Sequence, residues 1–286
     1  MGFEVRKTAV VGAGVMGGEI AYVLSAGGFP VMLKDVDAAR LEAGVEKARA
    51  IYSFRVKRRR IAQDEMDSRM SLIKPRLDYE GFESADLVIE AVPEDLELKK
   101  RVFAELDGIC PPPAVLASNT SALSITALAS AAEHRQRIAG FHFFSPASMM
   151  RLVEVIGGES TSEETVGRLR GFAAAIGKTP VRVRDSAGFI VNRLLCAAML
   201  EALRCEEEGL ASRAEIDSFL VKPDAGLPTG LFRMADQLGV DLVVHVMETI
   251  EKEHGARFRP PEILKRLVRE GNLGVKTGKG FYEYGR

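Results

Sequence analysis

Apolar positions change their spacing near residue 185. Before it, short β-branched runs alternate with longer stretches whose apolar residues recur at helical spacing, the signature of parallel βαβ units. The expected strands are TAVVG (8–12), PVMLKD (30–35), DLVIEAV (86–92), AVLAS (114–118), RIAGFHFF (137–144), LVEVI (152–156) and TPVRVR (179–184). Between the second and third of these, residues 37–85 read as one or two charged amphipathic helices. That is more chain than a crossover needs, so a projecting helical arm is expected. After Asp185 strand-like runs cease, and apolar residues recur at helical spacing over 188–210, 230–255 and 260–271. The pattern predicts an α/β domain over residues 1–184, with its arm at 37–85, followed by an all-α domain over 185–286.

A chain of 286 residues is long enough for two such cores. Lys plus Arg (39) nearly balances Asp plus Glu (40), so no global field recruits nucleic acid or an anionic membrane, and an anionic ligand must be met by local charge. Cys110, Cys196 and Cys205 are odd in number and form no CxxC pair, which argues against a disulfide framework or a metal site and suits a reducing cytoplasm. Residues 8–33 are nearly uncharged, but their glycines and Glu19 in mid-run argue against a signal peptide or a membrane span.

The first chemical signal is VVGAGVMGGEI, in which Gly12-x-Gly14-x-x-Gly17 follows a strand-like run and opens a helical one. In that context the first glycine allows a tight turn, the second lets the backbone approach a pyrophosphate, and the third lets helix pack on strand. The helix N-terminus adds N–H donors and a positive dipole end. Asp35 ends the second strand, eighteen residues beyond Gly17, where a carboxylate accepts both adenosine ribose hydroxyls and repels a 2′-phosphate. The first domain therefore reads as a Rossmann-like NAD-binding domain, although Lys34 and Arg40 lie near enough to welcome NADP.

A hydride acceptor at the strand ends calls for a base that takes the substrate's hydroxyl proton, and histidine suits that task near neutral pH. Of the four histidines, His142 ends a predicted strand inside the apolar run GFHFFSPASMMRLVEVI, whereas His134 lies in a charged surface segment, His245 in a helix core and His254 at that helix's end. Taken alone, a histidine in an apolar run such as His142 is more often a core residue than a catalytic one. Glu154, isolated in LVEVI, would be buried without a partner unless it meets such a histidine. A carboxylate of this kind fixes the tautomer and aims the other ring nitrogen at the substrate.

The ordered series GAGVMGGEIA, IEAVPEDLELKKRVF, SNTSAL, HFFSPASMMRLVEVI, GKTPVRVRDSAGFIVNRLL and KTGKGFYEY resembles the L-3-hydroxyacyl-CoA dehydrogenase family, in particular its short 3-hydroxybutyryl-CoA dehydrogenases. The resemblance runs from residue 7 to residue 284. It implies an NAD-dependent exchange of (S)-3-hydroxyacyl-CoA and 3-oxoacyl-CoA, catalysis by His142 with Glu154 orienting it, and a homodimer formed by the helical domain. It further implies that Ser121 touches both substrate and nicotinamide, that Asn192 lies near the substrate carbonyl, and that Glu94, Lys99, Ser145 and Lys276 line the cofactor. In this family the arm meets coenzyme A, and within FRVKRRR the residue for the CoA phosphates is Lys57 or Arg58.

Two positions depart from the family pattern. Ser145 stands where many single-function members have asparagine, and Ala187 replaces the proline of DxPGF, which is expected to loosen the interdomain turn. Two rival readings are a dehydrogenase of a free hydroxy acid or sugar acid, like the gulonate dehydrogenase and lambda-crystallin branch, and a non-catalytic nucleotide-binding protein.

Overall fold

The computed structural model describes residues 5–222 and 226–285, which form two compact units divided between Asp185 and Ser186. The first is built on eight strands: β1 (Thr8–Val11), β2 (Val31–Lys34), β3 (Ile73–Arg76), β4 (Leu87–Glu90), β5 (Val115–Ser118), β6 (Ile138–Phe143), β7 (Leu152–Gly157) and β8 (Thr179–Arg184). Their order is β3-β2-β1-β4-β5-β6-β7-β8. Every residue of β1, β4 and β5 is buried, as a sheet covered on both faces requires. The cover comes from α1 (Val15–Ala26), α2 (Ala38–Lys57), α3 (Gln63–Met70), α4 (Leu96–Ile109), α5 (Ile125–Ala129) and α6 (Glu163–Ala175). The strand order reverses between β1 and β4, and the C-terminal edge there is where open α/β sheets bind ligands.

Three features differ from the sequence expectation. The segment 37–85 contains a strand as well as helices. Its β3, IKPR, pairs only with β2, and an edge strand tolerates the missing N–H of Pro75. The sheet is also not wholly parallel, because β6 and β7 run antiparallel. Finally, the arm does not project freely. α2 lies along α1, so close that a Cβ on Gly18 would come within 2.6 Å of the Gly44 carbonyl oxygen. Tyr22 and Tyr52 meet edge to face at 4.6 Å, and the Tyr52 hydroxyl shares a 2.9 Å hydrogen bond with Ser25.

The second unit holds α7 (Val191–Glu207), α8 (Arg213–Leu220), α9 (Leu231–Leu238), α10 (Val240–His254) and α11 (Glu262–Arg269) around a core that includes Leu203, Phe232, Met247 and Leu264. The helical stretch 230–255 is split at Gly239, whose φ of +101° ends α9. His245 is not in the helix core; Val243, Val244, Val246 and Met247 face inward and leave it exposed. α8 has a capping box between Ser212 and Glu215.

The glycine-rich tail closes this unit through a buried carboxylate. Asp236 accepts the N–H groups of Phe281 (2.8 Å) and Tyr282 (2.9 Å) and the Tyr284 hydroxyl (2.9 Å). A Cβ on Gly280 would fall 2.0 Å from Asp236 Oδ1, so the glycine is what lets the tail come this near. Asp236→Ala strands those donors and is expected to cost about 3 kcal/mol, measurable as a lowered urea midpoint.

Candidate active site

The glycine motif behaves as its spacing predicts. Gly12 sits at φ +98° with Ala91 and Val92 against it, and a Cβ on Gly17 would collide with the Gly12 carbonyl oxygen at 1.8 Å. Gly14 differs, because a Cβ there would meet nothing within 4 Å. It opens onto a 730 Å³ cleft also lined by Gly12, Val15, Asp35, Val92 and Tyr79. No acidic residue occupies the first turn of α1, so its N-terminal dipole end is available to a phosphate. These features fit a dinucleotide.

Asp35 is 9% exposed and is held in place by the backbone N–H of Ala13 (2.8 Å) and of Val36 (2.8 Å). The neighbouring Lys34 is buried with its ammonium 4.3 Å above the Tyr79 ring, and both side chains line the same cleft as Asp35. Of the two cations that could favour a 2′-phosphate, Arg40 alone is exposed.

Beneath the cleft lies a charged network. Lys99 is 1% exposed; its ammonium donates to Glu90 Oε1 (2.7 Å) and the Val92 carbonyl (3.0 Å), with Glu94 Oε2 at 3.4 Å. Glu90 in turn accepts Ser118 Oγ (2.6 Å) and Val92 N–H (2.7 Å). Lys99, expected to line the cofactor, is thus held by Glu90, Glu94 and the Val92 carbonyl, and Val92 itself lines the cleft. Burial pushes the Glu90 carboxyl above the usual range, against the pull of the Lys99 ammonium. Glu94 Oε1 accepts Thr120 Oγ1 (2.6 Å) and the Ser121 N–H (2.9 Å), so the network fixes the loop that carries Ser121.

His142 and Glu154 are directly opposite each other in the antiparallel register of β6 and β7. Cross-strand partners point to one face, and His142 Nδ1 lies 2.8 Å from Glu154 Oε2 with both residues buried. Because β6 ends and β7 begins at the same edge, the pair stands at the ligand-binding end of the sheet. The bond accounts for a carboxylate that is only 1% exposed.

Past β6, the segment 145–150 is pinned from two sides. Glu19 of α1, 2% exposed, accepts the Ala147 N–H at 2.6 Å and has Ser145 Oγ at 3.4 Å. Lys178 donates to the carbonyls of Ala147 and Met150, and burial holds its ammonium below the usual lysine range. Between this segment and α2 is a 620 Å³ cavity whose lining includes Ile51, Phe54, Arg55, Arg58 and Met149. Lys57 is exposed on α2 but does not line it, which separates the two residues that the basic run leaves equivalent.

A family model for the 3-hydroxyacyl-CoA dehydrogenase NAD binding domain matches residues 7–186, and one for the C-terminal domain of the same family matches residues 188–284. The chain belongs to the 3-hydroxyacyl-CoA dehydrogenase family. It is 38% identical over 282 residues to a probable 3-hydroxybutyryl-CoA dehydrogenase of Bacillus subtilis, covering 98% of each chain. It is 40% identical to the fatty acid oxidation complex subunit alpha of Shewanella amazonensis, of whose length it spans 40%. The crystal structure of (S)-3-hydroxybutyryl-CoA dehydrogenase from Ralstonia eutropha superposes with a TM-score of 0.92 at 36% identity, covering 99% of this chain and all of that one.

The other expected residues of this 3-hydroxyacyl-CoA dehydrogenase lie in the helical unit. Asn192 stands in the first turn of α7, and Lys276 is half-exposed with its ammonium 2.6 and 2.8 Å from the Asp241 carboxylate oxygens. Ala187, which stands where the family has proline, is tied to α10. Its N–H, which a proline lacks, donates to Glu253 Oε2 at 3.0 Å, while Ser186 Oγ donates to Glu253 Oε1 at 2.9 Å. Burial pushes the Cys110 thiol up to about 11 and Cys196 to about 12, so neither is a ready nucleophile. Among the described residues no cluster fit to hold a metal occurs, and no helix is long and apolar enough to cross a membrane.

Proposed function

We propose that this dehydrogenase interconverts an (S)-3-hydroxyacyl-CoA and its 3-oxoacyl-CoA, with short chains such as 3-hydroxybutyryl-CoA and acetoacetyl-CoA as substrates. The observation that carries the reading is the buried His142–Glu154 pair at the strand edge of a nucleotide-binding sheet. NAD, when bound, supplies the hydride acceptor. In oxidation His142 takes the C3 hydroxyl proton as the C3–H bond breaks, and in reduction it returns that proton to the forming alkoxide. Glu154 holds Nδ1 so that Nε2 addresses the substrate oxygen, and its charge steadies the imidazolium. Ser121 and Asn192 orient the oxygen, with Glu94 and Lys99 acting through the loop that bears Ser121.

Asp35 takes the adenosine ribose hydroxyls, and its carboxylate, which repels a 2′-phosphate, supports NAD over NADP. Ser145 and Lys276 complete the cofactor side. Arg58 meets the CoA phosphates, which its place at the rim of the α2 cavity favours over Lys57. Arg58→Glu is expected to raise KM for acetoacetyl-CoA about tenfold with little change in kcat, as loss of a charge-assisted contact outside the reacting centre would do. The enzyme works in the reducing cytoplasm as a homodimer through its helical unit. Free thiols support the first statement, and the exposed Leu194, Leu210 and Phe219 support the second.

The decisive assay follows NADH consumption with acetoacetyl-CoA, using free acetoacetate as control. Turnover with the thioester alone is expected. Equal turnover of acetoacetate would instead identify a dehydrogenase of free hydroxy acids.

A further inference from the structure

A carboxylate in the middle of a nucleotide-binding helix needs a reason. Glu19 is 2% exposed in α1, where burying an unpaired charge would be costly. One oxygen, Oε1, lies 3.3 Å from Lys47 Nζ on α2, and the other accepts the Ala147 N–H at 2.6 Å, with Ser145 Oγ at 3.4 Å. Lys47 itself lines the cavity between α2 and the segment 145–150, one helical turn before Ile51, and Ala147 precedes Ser148 directly. Ile51 and Ser148 both line the 620 Å³ cavity, the former from α2 and the latter from the segment after β6. The two walls of the cavity therefore lead back to one side chain on the helix that also opens the cofactor cleft.

We propose that Glu19 is a positioning residue for the acyl-CoA substrate: its carboxylate sets the distance between α2 and the segment 145–150, and so the fit of the thioester cofactor's arm between them. This rests on the acyl-CoA reading above. Lys178 restrains the same segment through the carbonyls of Ala147 and Met150, leaving the Ala147 N–H to Glu19. The glycine motif that holds the dinucleotide lies at the far end of the first turn of α1, and none of its contacts involves Glu19. Glu19 meets Ser145, placed above on the cofactor side, at 3.4 Å but the Ala147 N–H at 2.6 Å, so its loss acts chiefly on the acyl-CoA side.

The test is steady-state kinetics of the full-length enzyme with acetoacetyl-CoA and NADH varied separately. Glu19→Ala is expected to raise KM for acetoacetyl-CoA about tenfold while KM for NADH stays within about twofold, the scale of one charge-assisted hydrogen bond lost. Glu19→Gln keeps an oxygen for the Ala147 N–H and should restore most of that affinity, whereas Lys47→Met, altering a partly exposed side chain, should show a smaller rise. Those two variants decide the matter if Glu19→Ala does not fold. An unchanged acetoacetyl-CoA KM in all variants, or NADH and acetoacetyl-CoA KM values rising together, would overturn the proposal. A wild-type enzyme without turnover on any 3-oxoacyl-CoA would instead overturn the functional reading beneath it.

Discussion

His142→Gln should lower kcat for acetoacetyl-CoA reduction by about a thousandfold, the middle of the range for removing a general acid, while leaving NADH binding intact. The glutamine amide can still reach toward Glu154, so the buried carboxylate keeps a donor and the β6–β7 pairing survives. It has no proton to give at neutral pH. NADH affinity should be largely kept because the cleft that fits the dinucleotide is lined from β1, α1, the end of β2, the loop after β4 and α4, and not by His142. Stopped-flow reduction rates, with NADH fluorescence titrated in parallel, separate the two effects. Near-normal turnover in this variant would remove His142 from the chemistry.

Lys99→Met is expected to be the most destabilising single change in the first unit. Glu90 is fully buried, and losing its cation leaves an uncompensated charge, which costs about 3–5 kcal/mol. The sign of the pH dependence follows from Glu90. Its carboxyl is already raised in the folded state by burial, and without the opposing ammonium it rises further. A raised acid favours the folded state below its unfolded value of about 4.3 and loses that advantage as pH rises through the folded value. The deficit of Lys99→Met relative to wild type should therefore narrow as pH falls from neutrality, measured by urea unfolding at several pH values. A deficit that widens on acidification would show that the Lys99 ammonium is not what keeps Glu90 buried.

The sheet was legible wherever burial on both faces produced an unbroken apolar run, as in VLAS and LVIE. β3 escaped because IKPR is an edge strand with exposed Lys74 and a proline, a composition that imitates a loop. α8 escaped by its shortness, although its S-x-x-E start at Ser212 was the available signal. His142 and Glu154 could be paired from the need of a buried carboxylate for a partner, but only the antiparallel register brings them face to face. A separation of twelve positions is equally compatible with two parallel strands that never meet. The burial of Lys99 was not legible, because a lysine in a charged helical stretch normally reaches solvent and nothing local announces that Glu90 lies beneath it. The partner of the Ala187 N–H, Glu253, lies 66 positions away. Glu19 likewise shows in the sequence only as a charge that breaks an apolar run, since its partner Ala147 lies 128 positions further on.

His142 and Glu154 are expected to act as one unit on a 3-oxoacyl-CoA. A double-mutant cycle in kcat for acetoacetyl-CoA measures that coupling, using His142→Gln, Glu154→Gln and the combined variant. If the carboxylate works only through the imidazole, the combined variant should be about as slow as His142→Gln alone. Losses that multiply, or full activity in Glu154→Gln, would contradict it.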